Sequence, residues 1–523
     1  MKKINYLYLL LLTVVTTLWG CSDFEDLNKD DTKLPELGMS HVGAAFAYSQ
    51  YWGMYADRYE FELVSSVMSN LYVQYFTNVT PSFQSDRFAA PDKFSRRAWA
   101  TYYLKALPQL ETVLEMTENT LPVAHAVALV WKVQISHRVA DLYGPMPYSD
   151  ANNAQVSVKY DSQEEVYKQM FVDLNTAITV LAQNRTANAF GTDDQIYSGS
   201  VEKWYRFANS LKLRLAMRIS DVNFADATKY AEEAVAAGVM ETAGDDAFLI
   251  ATSSSTTPYG WLSAWGETYM SEAMQSVLVG YEDPRLPIFF NKPVDESYNS
   301  NYRGARNGMN SIEMGLAEHA KNTLSLLGSR FSDSDSKNTE PLMVMNAAES
   351  YFLRAEGVIK GWNMGGTVEA LYKKGIECAM KTWGISDAAI TAYITSDKLP
   401  MAPGGYFNTP AMNQFPVKLS ADESEQLEQI ALQKWLALFP YNSLEMYADI
   451  RRTGRPHLYD RIHTDDETVG VNQLPARYLY PEDEITKNKS EYQNGLKLLG
   501  GEDKITTRVW WDIKSVSYTH LRA

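Results

Sequence analysis

Helical periodicity is the feature that most limits the fold of this chain. Apolar residues recur every three or four positions through the stretches 127–142, 204–219, 344–359 and 371–383. Because an α-helix makes one turn in about 3.6 residues, this spacing places the apolar side chains on one helical face. We therefore predict an all-α fold built from amphipathic helices.

Consecutive helices are expected to pack as pairs. The last two of these stretches are separated only by the glycine-rich segment 361–366, and Thr367 is a suitable N-cap for the second helix. Gly375 and Ala379 are small enough to let the partner helix approach closely. Helix pairs recurring along a chain indicate a tetratricopeptide-like solenoid. Since no regular repeat of about 34 residues is present, we predict irregular pairs.

Two further helix starts are marked by capping boxes, in which a serine is followed three residues later by glutamate. They are Ser162 with Glu165 and Ser420 with Glu423, each ahead of an apolar run.

Long segments rich in glycine, proline and serine separate the helical stretches, and they occupy 77–91, 252–265, 291–306 and 399–416. Loops of that length inside a packed protein are usually functional or disordered. We find no interdomain linker, so we predict that residues 36–514 form one helical domain with long loop-rich insertions.

The first residues are typical of an export signal that ends at a cysteine. Two lysines precede an uncharged apolar run, and Leu18, Gly20 and Cys21 match the lipobox pattern of bacterial lipoproteins. We predict a signal peptide over 1–20, acylation of Cys21 and a flexible acidic tether over 21–35. The alternative is an uncleaved membrane helix, which is disfavoured because a span needs about 20 apolar residues and three threonines dilute this run.

The only other cysteine, Cys378, lies in a helical stripe and is expected to be buried. With Cys21 acylated, no disulfide is possible, so the stability of the exported protein must come from its core.

Charge and motifs exclude several classes of function. The 523-residue chain carries a net charge of −16 and has a pI near 5.0, which argues against nucleic-acid binding. Enzyme signatures such as a Gly-x-Ser-x-Gly elbow, a His-Glu-x-x-His helix or a phosphate loop are missing. The seven histidines lack the clustering of a zinc site. We therefore predict no catalytic residue, metal or cofactor. A glycoside hydrolase stays open as an alternative, because a chain with 64 acidic residues always contains some close carboxylate pair.

Eight local strings, taken in order, resemble those of the SusD/RagB family of outer-membrane lipoproteins, and most closely its SusD-like branch. They are RVADLYGPMPYS at 138–149, FANSLKLRLAMRI at 207–219, DPRL at 283–286, AESYFLRAE at 348–356, QKWLALF at 433–439, DIRRTG at 449–454, RYLYP at 477–481 and VWWD at 509–512. The resemblance extends from about Asp26 to Asp512. Residues 515–523 depart from the pattern, and we draw nothing from this tail.

The resemblance implies a tetratricopeptide-like scaffold that is anchored outside the outer membrane. It also implies a partner, a SusC-like TonB-dependent porin, to which the lipoprotein delivers a captured glycan, oligosaccharide or other nutrient such as a peptide. Most signature residues are expected to be structural. Asp141, Arg214 and Arg218 lie on helices, where charged pairing is the ordinary explanation.

Aromatic residues in the loops are the candidate ligand contacts, because sugar rings stack on tryptophan and tyrosine. The first cluster, at 258–265, contains Tyr259, Trp261 and Trp265 in a segment without a helical stripe. Its alternative explanation is loop packing.

The second cluster runs from Tyr72, Tyr75 and Asn78 to Phe83 and Trp99. Its tyrosines can equally belong to the core stripe of a helix. A glycan-binding protein, a glycoside hydrolase and a purely structural lid on the porin all remain open at this stage.

Overall fold

The computed structural model describes residues 41–89, 92–151, 157–251, 257–332 and 340–513. The described residues from Gly43 onward belong to one compact unit. The predicted signal peptide, Cys21, the tether and the 515–523 tail lie outside the described residues.

Helices dominate the described part of the chain, as the apolar spacing predicts. Those of eight residues or more are α1 (Val42–Gly53), α2 (Leu107–Thr117), α3 (Pro122–Tyr143), α4 (Gln163–Gln183), α5 (Val201–Arg218), α6 (Phe224–Ala237), α7 (Pro258–Trp265), α8 (Glu272–Gly280), α9 (Ala347–Ile359), α10 (Val368–Lys381), α11 (Asp387–Ile394), α12 (Glu423–Leu438), α13 (Ser443–Thr453) and α14 (Lys489–Leu499).

Shorter α-helical segments are Arg58–Phe61, Asn70–Tyr72, Asp92–Ser95, Arg97–Thr101, Leu286–Phe289, Ser311–Met314, Ser329–Ser332 and Glu482–Lys487. π-Helical turns occupy Glu62–Ser69 and Tyr102–Ala106. Single 3₁₀ turns lie at Gln84–Arg87, Gly191–Asp193, Ala243–Asp245, Ala317–His319 and Lys321–Thr323.

Two small antiparallel ribbons accompany the helices. Strand β1 (Phe76–Thr77) pairs with β3 (Tyr269–Met270), with Phe76 opposite Met270. Strand β2 (Ala247–Leu249) pairs with β4 (Leu342–Met345), with a register shift next to Ala247. The first ribbon joins the segment after Tyr72 to the chain that follows α7.

Neighbouring helices pack in the irregular tetratricopeptide-like pairs that the sequence predicts. Helices α2 to α6 contact one another in chain order, and α9 packs against α10 and α12. The pair formed by α9 and α10 is the predicted hairpin. An added Cβ at Gly375 would lie only 2.6 Å from Cε1 of Phe352, so the close approach requires the glycine.

Local capping signals are confirmed at two of three positions. The Ser162 hydroxyl accepts a hydrogen bond from the Glu165 amide at 3.2 Å, and Thr367 caps α10 in the same way. The predicted cap at Ser420 is wrong. Helix α12 is capped instead by Asp422, whose carboxylate accepts from the Glu425 amide at 3.0 Å.

Charged side chains from α3, α5, α9 and α13 meet in the interior, in agreement with the structural role predicted for Asp141, Arg214 and Arg218. Arg218 lies 3.2 Å from Asp141 and 2.5 Å from Glu445, while Arg214 pairs with Glu349 at 2.6 Å. Burial alone would raise the pKa of Glu445, but Arg218 and Arg214 outweigh it and lower that pKa well below its usual range.

His137, Asp141 and Glu445 place ligand atoms within 4.8 Å of one another, a spacing that a metal ion can bridge. Arg218 pairs with both carboxylates and Arg214 lies 3.6 Å from Glu445, so guanidinium groups already take the place of a cation beside these acids. Cys378 is buried, as predicted, and burial raises the pKa of its thiol to about 12.

Candidate functional site

Helix α7 turns one face to the protein interior and a ring-bearing face to solvent. The expectation that this segment is a loop is wrong, because Pro258 starts a helix that ends at Trp265 and is stopped by Gly266, whose φ is 80°. Tyr259 is fully buried, whereas Trp261 and Trp265 are half-buried. Positions four apart share a helix face, so both indoles emerge on the same side.

Two further side chains pack against these indoles, and the four together form a surface that we call the aromatic platform: Arg58, Tyr59, Trp261 and Trp265. The indole centroids are 6.4 Å apart, and Tyr59 stacks on Trp265 at 5.6 Å with an interplanar angle of 29°. The Arg58 guanidinium lies 4.2 Å from the Trp261 ring and 4.9 Å from the Tyr59 ring. Tyr59 is 49% exposed, so the cluster is open to solvent.

Arg58 and Tyr59 come from a distant part of the chain and were missed by sequence reasoning. The Asp57 carboxylate accepts hydrogen bonds from the amides of Tyr59 and Glu60 and so starts a short helix. That start directs Phe61 into the core and Tyr59 outward. The available signal was the capping aspartate, which locates the helix but not the ring that Tyr59 meets.

The platform offers the chemistry that a saccharide requires. Aromatic faces take the apolar C–H face of a sugar ring, and a guanidinium held against those rings can donate hydrogen bonds to hydroxyls. The cation–π contacts also restrict Arg58, which lowers the entropy lost when a ligand binds.

A second set of surface rings lies on α1. Tyr48 is 45% exposed and its ring centroid is 5.9 Å from that of Trp52. Lys105 places its Nζ 3.6 Å over the Trp52 ring and 2.9 Å from a carboxylate oxygen of Glu60, the residue that follows Tyr59. This ion pair links the second set to the short helix Arg58–Phe61, which contributes Arg58 and Tyr59 to the platform.

Tyr259, also predicted to contact ligand, belongs to the core. Its hydroxyl donates to the Pro440 carbonyl and accepts from Nδ2 of Asn70 at 3.3 Å. Burial raises the pKa of this phenol. Its ring is fully covered and offers no face to a ligand, so we remove Tyr259 from the candidate site.

The second predicted cluster is distributed through the interior. Tyr72 and Tyr75 are buried, and the Tyr75 hydroxyl donates to the Trp435 carbonyl at 2.8 Å. The Asn78 amide closes its own loop by donating to the carbonyls of Thr80 and Phe83. Tyr72 and Tyr75 therefore belong to the core, as the alternative explanation stated for the tyrosines, and Asn78 stabilises its own loop.

Phe83 and Trp99 keep some access to the surface. Phe83 is half-buried. Trp99 is 5% exposed and packs edge-on against Tyr143 and Tyr480, yet its edge lines a surface cleft of about 670 Å³ together with Tyr103. Neither residue contacts the four side chains of the platform through a ring interaction in the described part of the chain.

Two carboxyl groups lie beside the platform. Glu62, one helical turn after Arg58, is hydrogen-bonded to Glu267, which follows Trp265 by two residues. Burial, followed by the charge of Glu62, raises the pKa of Glu267 to about 8, and burial also raises the pKa of Glu62. The Ser66 hydroxyl donates to Glu267 at 3.1 Å. A hydrogen bond between two carboxyl groups needs one proton, and the raised pKa of Glu267 favours Glu267 as the group that carries it.

The SusD-like family model, described as Susd and RagB outer membrane lipoprotein, matches residues 25–512. This chain belongs to the SusD-like family. No helix in the part of this SusD-like protein that the structure describes is both long and apolar enough to cross a bilayer.

Solved structures of SusD homologs share this fold over about nine-tenths of the chain. A chitin-binding SusD homolog from Flavobacterium johnsoniae is 30% identical with a TM-score of 0.83, over 91% of this chain and 99% of the homolog. A SusD homolog from Bacteroides uniformis is 31% identical with a TM-score of 0.79, over 90% and 99%. A further chitin-binding protein is 28% identical with a TM-score of 0.76, over 90% and 100%. No curated protein matches the chain.

The acid pair should make the stability of this SusD-like protein depend on pH. Glu267 has a higher pKa in the folded than in the unfolded protein, so its contribution is complete below about pH 4.5 and is lost as the pH rises towards about 8. Glu267→Gln keeps the shape without the titration. At pH 9 we expect this variant to be about 1–3 kcal/mol more stable than the wild type, with the difference shrinking in acid.

Urea unfolding at pH 5, 7 and 9 measures this difference. Glu62→Gln removes the other carboxyl of the pair. This variant should also reduce the pH dependence of the free energy of unfolding. Parallel stability curves for wild type and Glu267→Gln would show that the two carboxyls do not share a proton.

Proposed function

We propose that this chain is a cell-surface, lipid-anchored protein that binds a glycan or oligosaccharide at the aromatic platform and delivers it to a SusC-like TonB-dependent porin. The observation that carries the proposal is the solvent-facing cluster of two indoles, one tyrosine and one arginine. Tyr59 is exposed and both indoles are half-buried, although the fold buries most of its other large side chains, and a contiguous apolar surface patch typically marks a binding surface.

The chitin-binding homolog, 30% identical over nearly its whole length, supports a saccharide as the ligand. It also suggests which saccharide to test first. Chitooligosaccharides present a flat apolar ring face and an acetamido group, and both suit indole stacking.

We assign this protein a binding role rather than a hydrolytic one. Carboxylates of glycoside hydrolases stand about 5 to 10 Å apart, so that a water or a sugar carbon fits between them. Glu62 and Glu267, the acids beside the platform, are hydrogen-bonded to each other and leave no such room.

Titration calorimetry of the purified protein with chitooligosaccharides, unrelated glycans and short peptides tests the proposal. Saturable binding of an oligosaccharide, with the ligand recovered intact, is the expected result. Binding of peptides alone would indicate a different nutrient. Shortened sugars that persist after repurification of the protein would indicate a glycoside hydrolase. Absence of any binding would indicate a purely structural lid on the porin.

Membrane attachment through Cys21 has its own test. Because an acyl chain contributes about 0.8 kcal/mol per buried methylene, loss of the acylated thiol should abolish stable anchoring. We expect Cys21→Ser to move the protein from the outer-membrane fraction to the soluble fraction on centrifugation. Cys378→Ser is the control and should sediment like the wild type. A Cys21→Ser protein that still sediments without the porin would place the anchor elsewhere.

Delivery to the porin is tested by affinity capture of the protein from native membranes. A TonB-dependent porin should be recovered with the wild type and, at lower yield, with Cys21→Ser. Capture without any such porin would contradict the delivery step.

A further inference from the structure

A polar cavity separate from the platform residues lies at the start of α8, which follows α7 in the sequence. It is a cavity of about 220 Å³ whose walls carry Glu272, Gln275, Arg303, Glu318 and Gly405. We call it the Glu272 pocket. Pockets that take drug-sized ligands measure roughly 300–1,000 Å³, so this volume suits one small ring and excludes an extended oligomer.

Glu272 is the unusual member of this pocket. Its side chain is only 6% exposed, and its Oε2 has no hydrogen-bond partner among the described residues. A buried carboxylate oxygen without a partner costs about 1–3 kcal/mol or more, and such atoms are rare in folded proteins. The same side chain lines the cavity, so a donor that enters the cavity approaches this carboxylate.

The surroundings favour a neutral ligand. Two carboxylates, Glu272 and Glu318, are balanced by the guanidinium groups of Arg303 and Arg306. Burial raises the pKa of Glu272 to about 7, against the lowering effects of a Thr409 hydrogen bond and of both arginines. An ammonium ligand would add an uncompensated positive charge, whereas a hydroxyl can donate to either carboxylate and accept from Arg303.

We propose that the Glu272 pocket binds one neutral sugar unit, with ring hydroxyls donating to the carboxylates of Glu272 and Glu318. The proposal rests on the proposed function in that the ligand is a saccharide, but it concerns different residues. Glu272 follows Trp265 by seven positions, so the Cα atoms of these two residues are at most about 25 Å apart. The platform then stacks against several sugar rings of an oligosaccharide, while the pocket binds a single sugar unit of the same chain.

Adjacent glycines allow a matched test. An added Cβ at Gly405 would lie 3.5 Å from Oε2 of Glu318 and 3.9 Å from Oε1 of Glu272, so a side chain there enters the space between the carboxylates. Gly404, one residue earlier, has nothing within 4 Å of its added Cβ. Both have positive φ, 71° at Gly404 and 63° at Gly405, a conformation that asparagine tolerates.

Saturation-transfer NMR with N-acetylglucosamine, glucose, galactose and mannose is the measurement. At least one of these sugars should bind wild type and Gly404→Asn with equal affinity. Gly405→Asn should weaken that binding about tenfold or more. Glu272→Gln, which keeps shape and removes charge, should weaken it several-fold and serves as the second variant if Gly405→Asn does not fold.

The platform variant Trp261→Ala with Trp265→Ala separates the two proposals. Monosaccharide binding should survive in this variant even if oligosaccharide binding does not. The pocket proposal is overturned if none of the four sugars binds the wild type, if Gly405→Asn binds as well as Gly404→Asn, or if the platform variant alone loses the monosaccharide. Binding of methylammonium in place of sugars would overturn it as well.

Discussion

Replacing Trp261 and Trp265 together by alanine is expected to weaken oligosaccharide binding about tenfold or more while the fold is retained. Stacking of a planar base on an aromatic side chain is worth about 1–3 kcal/mol per ring, and a sugar face should fall near the lower end. Both indoles are half-buried and emerge from the outer face of α7. Truncating them therefore removes ligand contacts and little core.

Calorimetric titration of wild type and variant with the same oligosaccharide measures the effect, and thermal unfolding reports on the fold. Tyr259→Phe is the matched control on the same helix. It removes the hydroxyl bonded to Pro440 and Asn70 and should lower stability without changing affinity. Unchanged affinity in a folded double variant would assign both indoles to surface packing and would remove the basis of the proposed site.

Replacing Arg218 by methionine is expected to destabilise the fold by about 3–5 kcal/mol, because it leaves buried carboxylates without their counter-charge. Arg218 is 1% exposed and bridges Asp141 and Glu445. Asp141 also accepts hydrogen bonds from the Tyr167 hydroxyl at 2.5 Å and from Nε1 of Trp511 at 2.8 Å. The cluster therefore connects α3, α5 and α13 to the C-terminal segment.

Urea unfolding at pH 7 measures this loss, and the exposed pair of Lys373 with Glu369 supplies the control. Lys373→Met should change stability little, because solvent screens a surface pair. Glu445 has a folded pKa below its unfolded value, so its contribution is present above about pH 4.5 and is lost as the pH falls further. If Arg218→Met is as stable as Lys373→Met, the cluster does not stabilise the fold.

Sequence reasoning was reliable where the structural signal lies within a few residues. Helix periodicity, the cap at Ser162 and the hairpin of α9 and α10 depend on neighbours in the chain, and all three are confirmed. It was less reliable within the loop-rich insertions. The segment 258–265 lacks an extended stripe because α7 has only eight residues, too few for periodicity to emerge above its glycine and proline content.

The candidate site shows the same limit. Trp261 and Trp265 could be selected as ligand contacts from their sequence neighbourhood. The same neighbourhood also selected Tyr259, two residues before Trp261, but that ring lies in the core. For Arg58 and Tyr59 the sequence offered only the capping Asp57, which locates their helix, because the indoles they meet are about 200 positions away in the chain.

By itself the sequence determined the all-α class, the positions of the long helices and membership of the SusD-like family. Each of these depends on local spacing or on the order of the motifs. Only the tertiary structure decided which aromatic rings face solvent and which fill the core. The physical reason is that exposure of a ring depends on the elements packed against it. Tyr75 is covered by Trp435, 360 residues later, whereas Trp265 stays half-buried and stacks on Tyr59, a ring that is 49% exposed.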